Sequence, residues 1–247
     1  MGTAELRARV LSAQLPLPAH TLHVWRTALS AITPLADEMK MLLSADEQAR
    51  ADKFRFAGHR SAFIAGRALL RTILGDYCGC TPEELRFTDG DQHKPRIDDA
   101  ESHLARTVSF NLSHSTNDLQ IAVAAEGAVG IDVEDPGREF DVDGLVAECL
   151  TEEEARPLSR LSAAQRRNAF IRYWVHKETF LKCIGTGFSV SPKEVHVAFD
   201  DSGRSEMGCS NPMADAVLFG RDLESEAGHL AAIASAEREY ELHSIVL

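Results

Sequence analysis

Two carboxylates two positions apart are the first residues that could do chemistry. Asp132 and Glu134 lie in the segment VGIDVED, which reads as a β-strand. Residues two apart on a strand point to the same face, so the two carboxylates would stand side by side. Neighbouring carboxylates repel each other unless a proton or a cation lies between them. A solvated strand end would explain the pair on its own, and a metal site would require a third ligand.

A third carboxylate, Glu178, falls on the apolar face of a predicted helix within residues 170–188. Gly185 and Gly187 follow where a left-handed cap would end this helix. The apolar side chains at helical spacing are Phe170, Ile171, Trp174 and Leu181. A carboxylate among them is costly unless it is paired, hydrogen-bonded or bound to a metal. One explanation is a salt bridge from Glu178 to Lys182, one turn further on.

The other explanation joins the three acids in one site. Together, Asp132, Glu134 and Glu178 would form an all-oxygen cluster, and Mg²⁺ or Mn²⁺ prefers such hard ligands. The sequence has no P-loop, HExxH or GxSxG motif that would indicate a different chemistry. From these segments alone, the salt bridge and the metal site both stay open.

A concentration of basic residues between positions 50 and 71 could bind phosphate. This stretch contains a single acid, Asp52, in a chain whose formal net charge is -12. Its basic residues are Arg50, Lys53, Arg55, Arg60, Arg67 and Arg71. A solvated helix face is the default explanation, and a grip on phosphate by the planar Arg side chains is the alternative. Lys94, before the rigid Pro95, and His114, in a polar loop, could add further donors.

The composition limits the class of protein. A chain of 247 residues with 44% hydrophobic and 26% charged residues can form one large or two small globular domains. Its net charge of -12 argues against a nucleic-acid partner, because such binding rests on neutralising phosphates. Five cysteines without a CxxC pair indicate reduced thiols. No signal peptide or long apolar run is present, so we expect a cytoplasmic protein with no membrane partner.

Several helices and strands can be placed from local patterns. Ser44 and Thr151 each precede a helix with an acid three residues on, Glu47 and Glu154, which is the capping-box pattern. Helix is also expected over residues 61–77. Strands are expected at 21–29, 107–112, 119–125, 129–135, 194–199, 230–235 and 242–247, and residues 85–97 should contain a strand, a turn and an extended segment. Residues 200–228 should be mostly loop, with a short strand at 216–219.

The two halves of the chain resemble each other at an offset of 107 residues. The matching pairs are 43–47 with 150–154, 62–64 with 169–171, and Leu22 and Val24 with Val129 and Ile131. Chance similarity could explain one such pair but hardly several in register. We therefore expect a duplicated α+β unit, with an N-terminal half at residues 1–127 and a C-terminal half at residues 128–247.

A site in such a protein is expected at the seam between the halves. The repeat breaks where Trp25 corresponds to Asp132 and where Arg71 corresponds to Glu178. Both acids therefore belong to the second half alone. This asymmetry makes them the candidates for a function that the first half does not share.

Four motifs, in this order, resemble one protein family. The segments HKPRI (93–97), FNLSHS (110–115), GIDVE (130–134) and WVHKETFLKCIGTGF (174–188) are similar to those of the surfactin-type 4′-phosphopantetheinyl transferases. The resemblance covers roughly residues 43–199. It implies a monomer built as a pseudodimer of two α+β halves. It also implies a holo-acyl-carrier-protein synthase type of reaction, in which phosphopantetheine passes from coenzyme A to a serine of an apo acyl or peptidyl carrier protein and 3′,5′-ADP is released.

The resemblance implies roles for individual residues as well. Asp132, Glu134 and Glu178 match the magnesium-binding acids, and Glu178 or a water on the metal would deprotonate the serine. Glu178 and Lys182 are the implied catalytic residues. The positions matching contacts to coenzyme A are Arg60, Arg67, Lys94, Pro95, Ser113, His114, Lys177 and Lys182.

Two positions depart from the pattern of the family, and both concern the 3′-phosphate of coenzyme A. His93 stands where a glycine usually precedes Lys-Pro, and Glu47 lies in a helix where relatives often carry a basic phosphate ligand. Two other functions also fit the acids in principle. A metal-dependent phosphohydrolase would use water as the nucleophile, and a non-catalytic coenzyme A-binding module would bind without turnover. The sequence does not indicate which carrier protein is the target.

Overall fold

The computed structural model describes residues 2–89, 94–98, 107–225 and 228–247. The helices are α1 (Thr3–Ala13), α2 (Leu29–Ile32), α3 (Ala36–Met39), α4 (Ala45–Asp52), α5 (Ala57–Cys78), α6 (Val142–Cys149), α7 (Glu152–Leu158) and α8 (Ala163–Ile184). The strands are β1 (Thr21–Ala28), β2 (Phe87–Asp89), β3 (Pro95–Ile97), β4 (Ser109–Ser115), β5 (Asp118–Ala124), β6 (Val129–Glu134), β7 (Val195–Phe199), β8 (Arg204–Cys209), β9 (Val217–Leu223), β10 (Leu230–Ser235) and β11 (Glu241–Val246).

The first sheet has the strand order β11-β1-β5-β4 and shares a hydrophobic core with α5. Strand β1 lies inside this sheet, antiparallel to β5 and parallel to β11, the last strand of the chain. The long helix α5 buries an apolar face that includes Leu70 and Ile73, and it ends at Gly79, whose φ of 71° is the left-handed conformation that glycine adopts without strain.

The second sheet has the order β6-β10-β9-β8-β7, and α8 lies across β6 and β10. Gly130 in β6 permits this close approach. A Cβ atom at Gly130 would lie 2.8 Å from the amide nitrogen of Cys183 and closer still to the carbonyl oxygen of Thr179, both in α8. Because only glycine leaves this space, α8 is held directly over the strand that carries the predicted acids.

The two sheets meet where β4 packs beside β6. Side chains rather than backbone groups make the hydrogen bonds between these strands. The amide of Ile131 donates to Oδ1 of Asn111 at 2.9 Å, and the amide of Asp135 donates to Oγ of Ser115 at 3.1 Å. Where β4 meets β6, the seam is therefore a polar ladder built from alternate residues of β4, and beside it an apolar cluster joins β1 and β5 to β6 and β10.

The expected α+β fold with two similar halves is confirmed by this arrangement. Ser44 and Thr151 both form complete capping boxes, with Glu47 and Glu154 as their partners. The helices α5 and α8 are each 22 residues long, and each ends at a glycine with positive φ. The left-handed cap predicted at Gly185 is present, with φ of 84°.

Some predicted elements need correction. Residues 200–228 are not mostly loop, because their described part contains the full strands β8 and β9. Strand β8 was missed because its inward residues, Ser205 and Met207, alternate with polar ones and only one of the two is strongly apolar. Strand β4 also continues through the segment SHS, which we had expected to be a loop. The prediction at His93 lies outside the described residues.

No helix in the described ranges is long and apolar enough to cross a membrane.

Candidate active site

Strand β6 carries two of the three predicted acids, and hydroxyl groups from β4 hold both of them. Oγ of Ser113 donates to Oδ1 of Asp132 at 2.8 Å, and Oγ of Ser115 donates to Oε2 of Glu134 at 3.3 Å. Asp132 is buried and Glu134 is half-buried. Ser113 and Ser115 are two residues apart on β4, just as Asp132 and Glu134 are on β6. Each serine therefore reaches one acid across the seam.

Glu178 of α8 faces these acids. Oε1 of Glu178 and Oδ2 of Asp132 are both buried, and neither has a hydrogen-bond partner within the described residues. The pKa of Glu178 is raised to about 7, mainly by burial and next by the charge of Asp132, while the charge of Lys182 acts in the opposite direction. Glu134 adds a smaller effect in the same direction as Asp132. The other two carboxyl groups are therefore close enough to affect the ionisation of Glu178.

Glu134 has its own set of neighbours. Burial and the charge of Asp132 raise the pKa of Glu134, whereas hydrogen bonds from Trp174 and Ser115 and the charge of Arg138 lower it. The indole of Trp174 thus contacts an acid as a donor, in addition to its apolar packing on Phe170. From its position in the sequence, we had interpreted Trp174 only as part of an apolar face.

Lys182 pairs with Asp132 rather than with Glu178. Its Nζ donates to Oδ1 of Asp132 at 2.5 Å and to Oγ of Ser113 at 3.1 Å. Within the described ranges, no ion pair joins Glu178 to Lys182, so the salt bridge considered for this helix is wrong. One consequence is that Glu178 keeps a carboxylate oxygen with no partner in low-dielectric surroundings.

The site suits a hard metal ion, although the structure does not show a finished cluster. In the part of the chain that is described, no three His, Cys, Asp or Glu side chains already stand in an arrangement that could hold a metal. The donors of Asp132, Glu134 and Glu178 are nevertheless all oxygen, and two of these acids each have a buried oxygen with no partner. Unsatisfied buried carboxylates of this kind call for a proton or a cation.

Each half contributes a lysine to the seam, Lys94 from the first half and Lys182 from the second. Lys94 donates from Nζ to the carbonyl oxygens of Val129 and Cys183 at 3.0 and 3.1 Å. Burial lowers the pKa of Lys94. Beside it is a cavity of about 210 Å³ whose lining includes Lys94, Pro95, Asn111, Leu181, Lys182 and Gly185. The structure thus brings Lys94, Pro95 and Lys182 to one cavity.

His114 lies at the open side of this group. Partial desolvation lowers the pKa of His114, and the charges of Lys182 and His59 lower it further. His59 belongs to the first turn of α5 and was not predicted as a site residue. The first half therefore contributes α5 and β4 to the seam, and the second half contributes β6 and α8.

The structure corrects the prediction for Lys177. This side chain is fully buried, and its Nζ contacts Oε2 of Glu154 at 2.7 Å and the carbonyl oxygens of Pro192 and Val195 at 3.0 and 2.6 Å. Adjacent positions on a helix point about 100° apart, so Lys177 and Glu178 face different surroundings. All three donors of Lys177 are used inside the protein, which leaves none for a pyrophosphate.

The structure gives the arginines of the basic stretch acidic partners, one of which, Glu47, lies outside the stretch. Arg67 contacts Oε1 of Glu47 at 2.6 Å, and Nε of Arg71 contacts Oε2 of the same carboxylate at 2.6 Å. Arg60 contacts Oδ1 of Asp52 at 2.7 Å and is the more exposed of the two predicted ligands. Glu47, which departs from the family pattern, therefore serves as a helix cap and as a partner for two arginines.

Two residues of the polar ladder were missed by sequence reasoning. Asn111 fixes the backbone of β6, and Ser115 contacts Glu134 and the amide of Asp135. The alternation of Asn111, Ser113 and Ser115 in FNLSHS was a usable signal. Three small polar residues on one face of a strand indicate that the face meets another polar surface.

Comparisons with known proteins agree with this geometry. Residues 128–234 match the profile of a family described as the 4′-phosphopantetheinyl transferase superfamily. Residues 22–127 match the profile described as 4′-phosphopantetheinyl transferase, N-terminal. The chain has two α+β halves with acids at the seam between them, and each half matches one of these two profiles. The class of protein that these features define is the phosphopantetheinyl transferases.

Individual relatives place the chain within that class. It is 37% identical over 186 residues to the 4′-phosphopantetheinyl transferase HetI of Nostoc sp., which covers 74% of this chain and 76% of the relative. It is 25% identical over 183 residues to the 4′-phosphopantetheinyl transferase psf-1 of Bacillus pumilus, covering 74% and 75%. It is also 25% identical over 188 residues to the mouse L-aminoadipate-semialdehyde dehydrogenase-phosphopantetheinyl transferase, covering 70% and 57%.

The chain belongs to the 4′-phosphopantetheinyl transferase family. The family predicted from the four motifs is therefore confirmed. The chain is less similar to the Bacillus pumilus protein, at 25% identity, than to the Nostoc protein, at 37%, so the resemblance to surfactin-type enzymes is a distant one within the family.

Proposed function

We propose that this protein transfers the 4′-phosphopantetheine arm of coenzyme A to a serine hydroxyl of an apo carrier protein, with Mg²⁺ as its metal and 3′,5′-ADP as its product. The observation that carries the proposal is the group of three acids at the seam. Two of them have a buried oxygen without a partner, and the pKa of one, Glu178, is raised to about 7. In this reaction a serine O–P bond forms and the P–O bond to 3′,5′-ADP breaks.

Asp132, Glu134 and Glu178 would hold the magnesium ion, and Mn²⁺ could replace it. The metal, when bound, supplies charge neutralisation for the diphosphate of coenzyme A. Glu178 accepts the proton of the serine hydroxyl, directly or through a water. A base is most effective when its pKa lies near the working pH, and the raised pKa of Glu178 meets this condition in the metal-free protein.

Lys182 and Lys94 provide the positive charge that the phosphates require. Lys182 already contacts Asp132, so its ammonium group lies beside the acids and can balance charge that develops on a phosphoryl oxygen. Ser113 and His114 are neighbours on β4, where Ser113 is buried beside Lys182 and His114 is exposed. In the present arrangement Ser113 orients both Asp132 and Lys182, which is a positioning role as well as a binding one.

Transfer to a carrier is the test of this function. An apo carrier incubated with coenzyme A and Mg²⁺ should gain the mass of one phosphopantetheine arm in intact-mass spectrometry, and an equal amount of 3′,5′-ADP should appear. Excess EDTA should stop both changes, and added Mg²⁺ should restore them. Undiminished transfer in excess chelator would refute the metal assignment. Release of nucleotide without any carrier would indicate a phosphohydrolase, and binding without turnover would indicate a coenzyme A-binding module.

Arg60 is assigned to the 3′-phosphate of coenzyme A within this proposal. A charge-assisted hydrogen bond contributes roughly 1.5–3 kcal/mol, so Arg60→Ala should raise KM for coenzyme A about 10-fold or more and leave kcat nearly unchanged. The variant should also lose most of the preference for coenzyme A over dephospho-coenzyme A in steady-state kinetics. Arg67 is less suitable for this test, since its partner Glu47 is shared with the buried Arg71.

Asp52→Asn is the matched control for Arg60. It removes the present partner of Arg60 and keeps the guanidinium group, so KM for coenzyme A should not rise. If Arg60→Ala discriminates between the two cofactors as well as the parent does, the 3′-phosphate is held elsewhere and Arg60 is a solvated helix residue.

A further inference from the structure

The connection between α4 and α5 exposes aromatic side chains where a soluble surface would normally be polar. Every residue from 52 to 59 is exposed, including Phe54 at 36% and Phe56 at 58%. Between them stands Arg55, and Lys53 precedes them. We call residues 53–56 together with Arg50 the basic-aromatic surface. Exposed aromatic groups clustered in this way are typical of an interaction site.

The charges of this surface are not neutralised within the protein. Arg50, Lys53 and Arg55 form no ion pair with any described residue, whereas the neighbouring Arg60 and Lys40 both contact Asp52. The chain as a whole has a net charge of -12, so this local excess of positive charge is unlike the rest of the molecule. It would attract a negatively charged partner.

Aromatic rings hold the guanidinium groups of the surface in place. The guanidinium of Arg55 lies 5.6 Å from the ring centre of Phe56, and that of Arg50 lies 5.3 Å from the ring centre of Phe63. Phe54 packs on Phe63 with 5.3 Å between ring centres. Cation–π contacts of this kind keep the charges oriented while leaving their outer faces free. The surface is thus ordered before any partner arrives, which lowers the cost of binding.

The surface adjoins the first turn of α5, which carries His59. The rings of Phe56 and His59 pack edge to face at 5.5 Å, and the charge of His59 acts on His114. His114 in turn feels the charge of Lys182, which contacts Asp132. A protein substrate inserts only one serine among the acids, so the rest of its body must lie on a surface next to them.

We propose that the basic-aromatic surface docks the carrier protein, through a face of the carrier that is acidic and contains apolar side chains beside its serine. This inference rests on the proposed transferase function and adds the location and chemistry of its protein-binding surface. Within that function the half-buried Lys94 and Lys182 match the diphosphate of coenzyme A, and Arg60 is assigned to its 3′-phosphate. Lys53 and Arg55 instead point into solvent, where a large partner could cover them.

The double charge reversal Lys53→Glu/Arg55→Glu tests the proposal with an apo acyl carrier domain that has acidic residues beside its serine. We expect KM for this carrier to rise about 10-fold, while KM for coenzyme A and kcat stay within about 2-fold, because rim charges act mainly on association. Added salt should raise KM for the carrier with the parent and much less with the variant. Phe56→Ser should raise the same KM about 5-fold without changing its salt dependence.

Two controls make the result specific. Arg156→Glu/Arg160→Glu makes the same change in net charge at exposed positions in and after α7, and it should leave KM for the carrier unchanged. A carrier whose acidic residues are replaced by lysine should bind poorly to the parent and recover with Lys53→Glu/Arg55→Glu. This recovery cannot come from a misfolded variant.

Direct binding of the apo carrier, measured by calorimetry in EDTA, separates this proposal from the transferase function. Binding that is lost in Lys53→Glu/Arg55→Glu supports the docking surface even if no transfer occurs. Unchanged carrier binding and unchanged KM for the carrier would refute it. A rise in KM for coenzyme A alone would also refute it, and would assign the surface to the nucleotide.

Discussion

Replacement of Glu178 by glutamine is expected to lower kcat of the transfer reaction at least about 100-fold, the scale typical of a lost acid–base or electrostatic group. The amide keeps the shape of the side chain but can neither accept the serine proton nor contribute a negative charge to a metal site. Glu178 makes no ion pair with Lys182 in the described structure, so the substitution breaks no structural salt bridge. Single-turnover kinetics with an apo carrier, beside thermal melting, would measure both effects.

The stability of Glu178→Gln is the control for this prediction, because a loss of kcat without a loss of stability cannot be due to unfolding. The pKa of Glu178 is raised from 4.5 to about 7, mainly by burial, so in the absence of metal the folded state holds a proton that the unfolded chain releases. The free energy of unfolding of the parent should therefore fall as pH rises from about 4.5 to about 7, and level off above that. Glu178→Gln should lack this fall. Near-normal kcat combined with a marked loss of stability at neutral pH would contradict the assignment.

Replacement of Lys177 by methionine is expected to destabilise the protein by about 3 kcal/mol, with little effect on KM for coenzyme A. The substitution leaves the buried carboxylate of Glu154 without its ammonium partner, and breaking a buried ion pair from one side costs about 3–5 kcal/mol. Glu154 keeps hydrogen bonds from the amides of Thr151 and Val197, so the lower end of that range is expected. Urea denaturation would measure the free energy of unfolding.

The double variant Lys177→Met/Glu154→Gln is the matched control for this prediction. It removes both charges of the pair, and it should recover part of the lost stability, because a neutral pair leaves no uncompensated charge. A large rise in KM for coenzyme A at a temperature where Lys177→Met is folded would show that Lys177 contacts the cofactor after all.

The features that could be predicted from the sequence are those that depend on local spacing. The capping boxes at Ser44 and Thr151 need only a hydroxyl and an acid three residues apart. The shared face of Asp132 and Glu134 follows from the period of two in a strand. The duplicated architecture was visible because the repeat preserves the positions of these local signals.

The features that could not be predicted depend on contacts between distant parts of the chain. Lys177 belongs to the same motif as Glu178, but its partner Glu154 lies on a separate helix, α7. No local sequence pattern indicates that these two residues pair. The pairing of Glu47 with Arg71 is likewise a contact between α4 and α5. The two ion pairs occupy related places in the two halves, so each is better explained by the packing of a helix than by binding of a ligand.

The return of β11 to the first sheet has a consequence for dissecting the protein into pieces. Strand β11 comes from the second half of the chain, yet it pairs in parallel with β1 and covers its outer edge. A fragment containing only the first half would expose that edge, and an uncovered strand edge is a template for aggregation. The second half, cut away, would lose the serines that hold Asp132 and Glu134. The two similar halves are therefore interlocked. If the protein is divided, its fragments should be tested for complementation when mixed and not as isolated domains.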